Sequence, residues 1–478
     1  LFFIILLLYK IVLPKILRKT DKDYQFFTAN KRSFFVVAIF IFAMYIPYFL
    51  NEFPGIISTD SLAEILQAMG YRTLENHYPI AHIGLISIAM NIGKLIGNYN
   101  IGIAIYSIFQ MILTACVFSY TIYFMAKYKV NKAIRIITLL MYAFYPPFAI
   151  YAVTMWKDVP FALFMTIYVT FLIEMAINSE IIKSKNFNIK FVIIMIMVFL
   201  FRNNGIYVLL LSMPFVIGIH KKYRKKLIIL YLIVFVTYAI FTGPIFKIFN
   251  IKKSDIRETL SVPLQQFARL MSYNQDKLSD KQKDKIRQYL PIEDFEKLYD
   301  PVFADPIKAQ FSEEGFKKDK IGLVKLYFEL ALEFPTETVK SFVLGSYGYY
   351  YPNTVGWGIY TGVNTEQFGK YEDYKFDTNP IVKIGSLDRL NKFVNNRDFP
   401  IASMVLSVGF LFWLILGCIT YLIYKKKYKK IIIFLPVLFV WFTALASPVF
   451  CEPRYVYSIF TCLPLFIGIA VNDKENLI

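Results

Sequence analysis

Eleven apolar stretches divide this chain of 478 residues, and they constrain its fold more than any other feature. They lie at 1–17, 33–50, 101–126, 133–153, 159–177, 190–201, 205–219, 227–246, 400–424, 431–447 and 455–471. A helix needs about 20 apolar residues to cross a bilayer, fewer where neighbours protect its ends. With 57% hydrophobic residues the chain is too apolar for an ordinary soluble protein of this length. The expected class is an all-α polytopic membrane protein with about eleven transmembrane helices. The stretch from Leu1 to Leu17 is interrupted by Lys10 and Lys15 and has no small-residue cleavage site after it. It reads as a truncated first span rather than a signal peptide.

Charge gives the expected orientation. The loops 18–32, 127–135, 178–190, 220–226 and 425–430 hold 22 Lys or Arg against 3 Asp or Glu, which accounts for the whole net charge of +19. The other hydrophilic segments, 51–100, 154–158, 202–204, 246–399 and 448–454, carry 28 basic and 28 acidic residues. Short loops rich in Lys and Arg stay in the cytoplasm, so the balanced set is expected outside. A basic charge confined to membrane-flanking loops does not make a nucleic-acid surface, and nucleic acid is not an expected partner. Segment 80–97 is apolar too. Counting it as a span would put Lys127, Lys129, Lys132 and Arg135 outside, so it is expected to be an interfacial or re-entrant helix.

The chain then divides into an N-terminal membrane region 1–245 with its first external loop 51–100, an external domain 246–399, and a C-terminal membrane region 400–478. The external domain begins helical. Ser279 to Leu290 reads as a charged helix, and Leu323, Leu326, Tyr327, Leu330 and Phe334 recur at helical spacing before Pro335 ends or interrupts the pattern. Gly345 to Asp377 reads as ordered loop. Tyrosines 347, 349, 350 and 351 suit either an interfacial belt or stacking on sugar rings. Cys116, Cys418, Cys451 and Cys462 all lie in or beside apolar segments and imply no disulfide framework, and 246–399 has no Asn-x-Ser/Thr acceptor. Both point to a bacterial plasma membrane, with 246–399 extracellular.

The balanced segments hold the residues suited to chemistry. In the first loop Asp60 opens a short helix whose Leu62, Ile65, Leu66 and Met69 share a face, with Ser61 and Glu64 at capping-box spacing. An acid there stabilises a helix N-terminus without any catalytic duty, and it equally suits a proton acceptor. Asn76-His77-Tyr78-Pro79 follows, with His82 five residues after His77. A metal site would need further ligands such as Asp60 or Asp158, and no tight ligand spacing is present. The other readings are an interfacial histidine and a donor to a phosphate or hydroxyl. Trp156 and Lys157 suit interfacial anchoring, whereas Asp158 at an apolar boundary is costly unless paired. Arg202-Asn203-Asn204-Gly205 is a polar hinge at the membrane edge, tolerated only where protein or a water-filled cavity satisfies it; an outward cavity is expected. In Glu452-Pro453-Arg454 the two charges suit a local ion pair.

In order and sidedness these blocks resemble the GT-C superfamily of membrane glycosyltransferases, closest to an uncharacterised bacterial branch. The blocks are Pro-Gly-x-x-x-x-Asp-Ser at 54–61, Asn-His-x-Pro at 76–79, Trp-Lys-Asp at 156–158 and Pro-Arg-Tyr at 453–455. The resemblance covers the chain from 33 onward. It implies a polyprenyl-phosphate or polyprenyl-diphosphate sugar as donor and a glycan, lipid or protein as acceptor. By position, Asp60 is implied as the general base, with Arg454, Lys157 and Arg202 holding the leaving phosphate. His77 and Asp158 would orient acceptor or phosphate, and Asn203 and Glu452 complete the implied substrate-binding set. Many members carry adjacent acids in this loop, but here Ser61 follows Asp60, so no metal ligands are assigned and a divalent cation is left open. A surface-polysaccharide polymerase or ligase and a lipid-linked sugar transporter are the alternatives. A transporter calls for ionisable residues within spans, and Glu174 is the only acid in one.

Overall fold

The structure, a computed structural model, describes residues 28–354, 356, 360–363, 378–387, 389, 406–446 and 449–472. The expected span 1–17, the loop residues 18–27, residues 364–377 and the start of the expected ninth span, 400–405, lie outside the described residues.

Helix dominates, and β-structure among the described residues is limited to isolated bridges. The N-terminal part of the bundle comprises α1 (Lys31–Asn51), α2 (Thr59–Ala68), α3 (Ile80–Ile96), α4 (Tyr99–Lys127), α5 (Lys132–Phe144), α6 (Pro146–Val153) and α7 (Asp158–Ile177). It continues with α8 (Lys185–Phe201), α9 (Gly205–Ile219) and α10 (Arg224–Ile240). Among the described residues six helices are long and apolar enough to cross a membrane, or seven if the bent pair α5–α6 is one span. Helices α3, α9 and one near the C-terminus are apolar but shorter.

Local sequence sets where these helices start and bend. Asn30 caps α1, its side chain accepting from the Ser33 amide at 2.7 Å. The stretch 133–153 is not the single straight span expected. It bends by 49° between α5 and α6, because Pro146 has no N–H to give and drives Tyr145 into extended backbone at φ −74, ψ 113. The stretch at 190–201 is longer than expected, since Ser184 caps a helix that begins at Lys185.

Residues 261–346 fold around their own core. Helices α11 (Ser261–Tyr273), α12 (Asp280–Tyr289), α13 (Lys320–Glu333) and α14 (Pro335–Ser346) bury Leu264, Phe267, Ile286, Leu323, Leu326 and Leu330. Ser279 and Gln282 form a capping box at the start of α12, as its sequence predicts. Pro335 ends α13 only to begin α14, where a missing N–H costs nothing. Residues 345 and 346, expected in a loop, belong to α14. The chain re-enters the bundle through α15 (Val408–Tyr424), α16 (Leu435–Ala446) and α17 (Tyr457–Val471).

The bundle has two chemically distinct ends. At one, the basic loops meet: Lys127 and Tyr128 hold Glu174, while Lys183, Lys222 and Tyr223 converge on Glu180. Asn472 donates to the Tyr128 carbonyl at 3.1 Å, which brings the end of α17 to the same place. The residues singled out for chemistry lie together at the other end.

Candidate functional site

The site rests on a loop stitched to a distant segment. Gly55 adopts φ +148, where a β-carbon would lie 2.2 Å from Ser107 Oγ, so only glycine fits. Beyond it the Ile56 amide donates to the Val153 carbonyl at 3.0 Å, and the Met155 amide donates back to Ile56 at 3.1 Å. Ser58, not Ser61, is the N-cap of α2. Ser61 Oγ accepts from the Ser58 amide at 3.3 Å and donates to the Met155 carbonyl at 2.7 Å. Trp156 Nε1 donates to Ser58 Oγ at 2.6 Å. The first turn of α2, which carries Asp60, is thereby fixed against Trp156 and Lys157, and Trp156 is a buried structural residue rather than an interfacial anchor.

Glu64 does not cap α2 either. It is buried and lies 3.0 Å from His82 Nδ1. His82 Nε2 meets the Tyr106 hydroxyl at 2.6 Å, and that hydroxyl donates to Gln110 Oε1 at 2.9 Å. Gln110 Nε2 in turn reaches the carbonyls of Tyr151, Ala152 and Thr154. This buried chain ties α2, α3 and α4 to the end of α6. His82 is therefore a core histidine rather than an interfacial one. Among the described residues no three His, Cys, Asp or Glu side chains gather into a group suited to a metal ion.

Above this support, Asp60 faces two cations. Arg454 Nη1 donates to Asp60 Oδ2 at 2.7 Å, and Lys157 Nζ lies 3.6 Å from the same oxygen. Arg454, expected to pair with Glu452, approaches that residue only to 3.9 Å. Burial pushes the Asp60 carboxyl up, but Lys157 and Arg454 outweigh it and, with His77, hold it well below the usual carboxylate range. Glu452 goes the other way. Burial raises its carboxyl to about 7, with Asp158 and Asp60 adding to the rise and Arg454 opposing it. One of its oxygens, Oε1, has no hydrogen-bond donor. The preceding Cys451 takes a left-handed φ of 54, which costs a non-glycine residue free energy and marks a locally constrained turn.

A second pair lies beside the first. Asp158 opens α7 and is buried, and Arg202 Nη1 stands 3.2 Å from its Oδ1. No hydrogen-bond donor reaches either Asp158 oxygen, so the Arg202 charge is what offsets its burial. Arg202 also donates to the Tyr455 carbonyl at 2.6 Å. Protein satisfies part of the hinge holding it: Asn203 Nδ2 donates to the Asn76 carbonyl at 2.6 Å. That bond fixes the loop of His77, whose other side is held by the Asn76 amide donating to the Lys252 carbonyl at 2.8 Å.

All eight residues expected from sequence gather at this end: Asp60, His77, Lys157, Asp158, Arg202, Asn203, Glu452 and Arg454. Sequence reasoning missed the aromatics that frame the cations. The Tyr455 ring lies 4.9 Å from the Arg454 guanidinium and 5.3 Å from that of Arg202. Trp156 faces Arg454 at 5.2 Å, and Tyr78 faces Lys157 at 4.6 Å. The available signal was adjacency, since each of these aromatics neighbours a site residue in the chain. The result is a near-neutral cluster of opposed charges with aromatic walls. Chemically it suits recognition of an anion by Arg454 and Lys157 and proton exchange at Asp60 or Glu452.

No curated protein and no solved structure matches this chain. The model of a family described as being of unknown function, DUF6020, matches residues 66–476, a stretch that takes in every site residue except Asp60. The chain is a member of that DUF6020 family.

Proposed function

We propose that this protein is a membrane glycosyltransferase of GT-C type. It moves a sugar from a polyprenyl-phosphate-type lipid donor to a glycan, lipid or protein acceptor at the outer face of a bacterial plasma membrane. In this reading the site end faces outward, 246–399 is extracellular, and the bent pair α5–α6 with helices α8, α9 and α15 joins the six longer ones, making about eleven spans with the expected stretch 1–17.

The observation that supports it most is the convergence of Arg454 and Lys157 on Asp60 across sequence separations of up to 394 residues. Sugar transfer breaks the bond between the anomeric carbon and the phosphate oxygen and forms one to an acceptor oxygen. The leaving phosphate keeps the bonding electron pair, and Arg454 and Lys157 offset that growing charge. The acceptor hydroxyl loses its proton to Asp60. A carboxylate clamped by two cations is a weak base, but the donor's phosphate competes with Asp60 for both of them. That exchange frees the carboxylate and returns its pKa toward the ordinary range as the substrate binds. Arg202, neutralised by Asp158, holds the Tyr455 backbone in place, while Asn203 fixes the His77 loop and Glu452 lies 3.9 Å from Arg454.

A polymerase or ligase acting on a lipid diphosphate would use the same cations, and the released lipid distinguishes it. The transporter alternative has less support: Glu174, the only acid within an expected span, is tied to Lys127 and Tyr128 among the basic loops. The test is Asp60→Asn. Membrane insertion should be retained and sugar transfer from the native lipid donor abolished; full activity in that variant would remove Asp60 from the proton-transfer step.

A further inference from the structure

Helix α13 is anomalous in a stretch as densely charged as 246–399. Its inner face, Leu323, Leu326 and Leu330, fills the core of the external stretch. Its opposite face is apolar too. Ile321 is 68 % exposed, Val324 50 %, Phe328 59 % and Leu332 84 %. Spacings of three, four and four residues put these four on one stripe of the helix. Helix α14 continues the pattern with Val339 and Val343, both exposed. A helix at the surface of a water-soluble domain presents polar residues outward, and an extended apolar face marks a contact with something else.

We infer that this stripe lies against the lipid of the outer membrane surface, at the boundary between headgroups and acyl chains. Continuity with the membrane-embedded bundle argues for lipid as the occupant. Helix α14 runs directly into the turn Tyr347–Tyr349. Trp441 Nε1 donates to the Tyr349 carbonyl at 3.0 Å and Trp413 Nε1 to the Tyr350 carbonyl at 2.8 Å, both from apolar helices of the bundle. Trp441 is buried and only ties the turn to the bundle, but Trp413 is exposed, and an exposed tryptophan that bonds polar backbone from an apolar helix marks the membrane–water boundary, so α14 ends near that boundary. The chain also enters the external stretch from lipid-facing surface. The span Lys221–Ile248 exposes Ile229, Leu232, Val236 and Ile240 along its length and ends in exposed Ile248 and Phe249. Charge agrees as well. Exposed Lys320 and Lys325 lie on the same helix beside the stripe, where their stems can cover apolar surface while the ammonium groups reach headgroup phosphates, and the exposed Glu329 and Glu333 of that helix accept from Gln282 of α12.

This inference needs only a membrane-embedded bundle and is independent of sugar transfer. Its test places a nitroxide on single cysteines replacing Val324, Phe328, Leu332 and Val339, and on the exposed Lys281 of α12 as a control. The background is Cys116→Ser/Cys418→Ser, Cys451 and Cys462 being buried. Each labelled protein is reconstituted in nanodiscs of phosphatidylcholine and phosphatidylglycerol. Collision with oxygen, which concentrates in lipid, is compared with collision with a water-soluble nickel chelate. The expected oxygen-to-nickel ratio at the four stripe positions is several-fold above that at Lys281. Ratios equal to the control would overturn the inference. So would spin–spin broadening between labelled copies, which would make the stripe an interface between two chains.

Discussion

At the scale of single residues, the proposed chemistry rests most on Arg454. It reaches Asp60, Glu452 and two aromatic rings from one guanidinium. Arg454→Ala should lower the rate of sugar transfer by at least about 100-fold, the usual cost of deleting a donor aimed at developing charge. Arg454→Lys should recover only part of it, because an ammonium has no planar fork. Glu452 sets a pH dependence. Its folded-state carboxyl titrates at about 7, above its ordinary 4.5, so between those values the folded protein holds a proton that the unfolded chain has lost. Its contribution to stability therefore falls as pH rises through that window and levels off above it. Asp60 has the opposite sign: its lowered pKa stabilises the fold above the ordinary carboxylate range, and that contribution is lost only as pH falls towards its lowered value. Affinity for a polyprenyl phosphate should decline as Glu452 ionises between roughly pH 6 and 8, and Glu452→Gln should flatten that profile. A profile unchanged in Glu452→Gln would show that another group titrates. Asp158→Asn leaves Arg202 buried without its counter-charge and should destabilise the protein by about 3–5 kcal/mol in thermal or denaturant unfolding, while Asp158→Asn/Arg202→Met should recover part of the loss.

Much of this site was legible because its charged residues lie at apolar boundaries, where an ionisable side chain requires a partner. The pairings were not legible. Glu452 is two residues from Arg454, yet the 2.7 Å contact of Arg454 is with Asp60, and adjacency in sequence gave no hint of a partner 394 positions away. The same limit hid Glu64 and His82, whose spacing suited a cap and a surface histidine and whose buried pairing depends on α2 packing against α3.

At the scale of elements, hydropathy located the helices while proline, glycine and caps determined their ends. The turn between α8 and α9 shows the division. Its polarity was readable, but its packing depends on Gly205, where a β-carbon would lie 2.5 Å from the Val198 carbonyl oxygen. Gly205→Ala should force the two helices apart at a cost of about 1–3 kcal/mol and weaken the Asn203 bond that holds the His77 loop. Loss of thermal stability together with faster proteolysis near residue 76 would be the sign; an unchanged melting curve would mean that the hinge yields without strain. The bend at Pro146 could be anticipated in kind, since the residue before a proline avoids helical backbone, but its 49° could not. The apolar outer stripe of α13 escaped notice because the inner face alone satisfied helical periodicity.

At the scale of the whole molecule, charge segregation carried the most information. Basic loops far apart in sequence collect at one end of the bundle, and the eight residues expected to act collect at the other. The orientation this implies has a direct check. A cysteine replacing exposed Asp300 should react with an impermeant maleimide added to intact cells, and one replacing Lys222 should react only after the membrane is opened. The central claim, that this cluster consumes a lipid-linked sugar, is tested most directly by comparing lipid-linked sugars and surface glycans in cells with the wild-type chain, without it, or with Arg454→Ala. A polyprenyl-linked sugar should accumulate, and a surface glycan, lipid or protein should lack that sugar, in both the deletion and the Arg454→Ala cells. Identical lipid-linked sugar and glycan profiles in all three would contradict it.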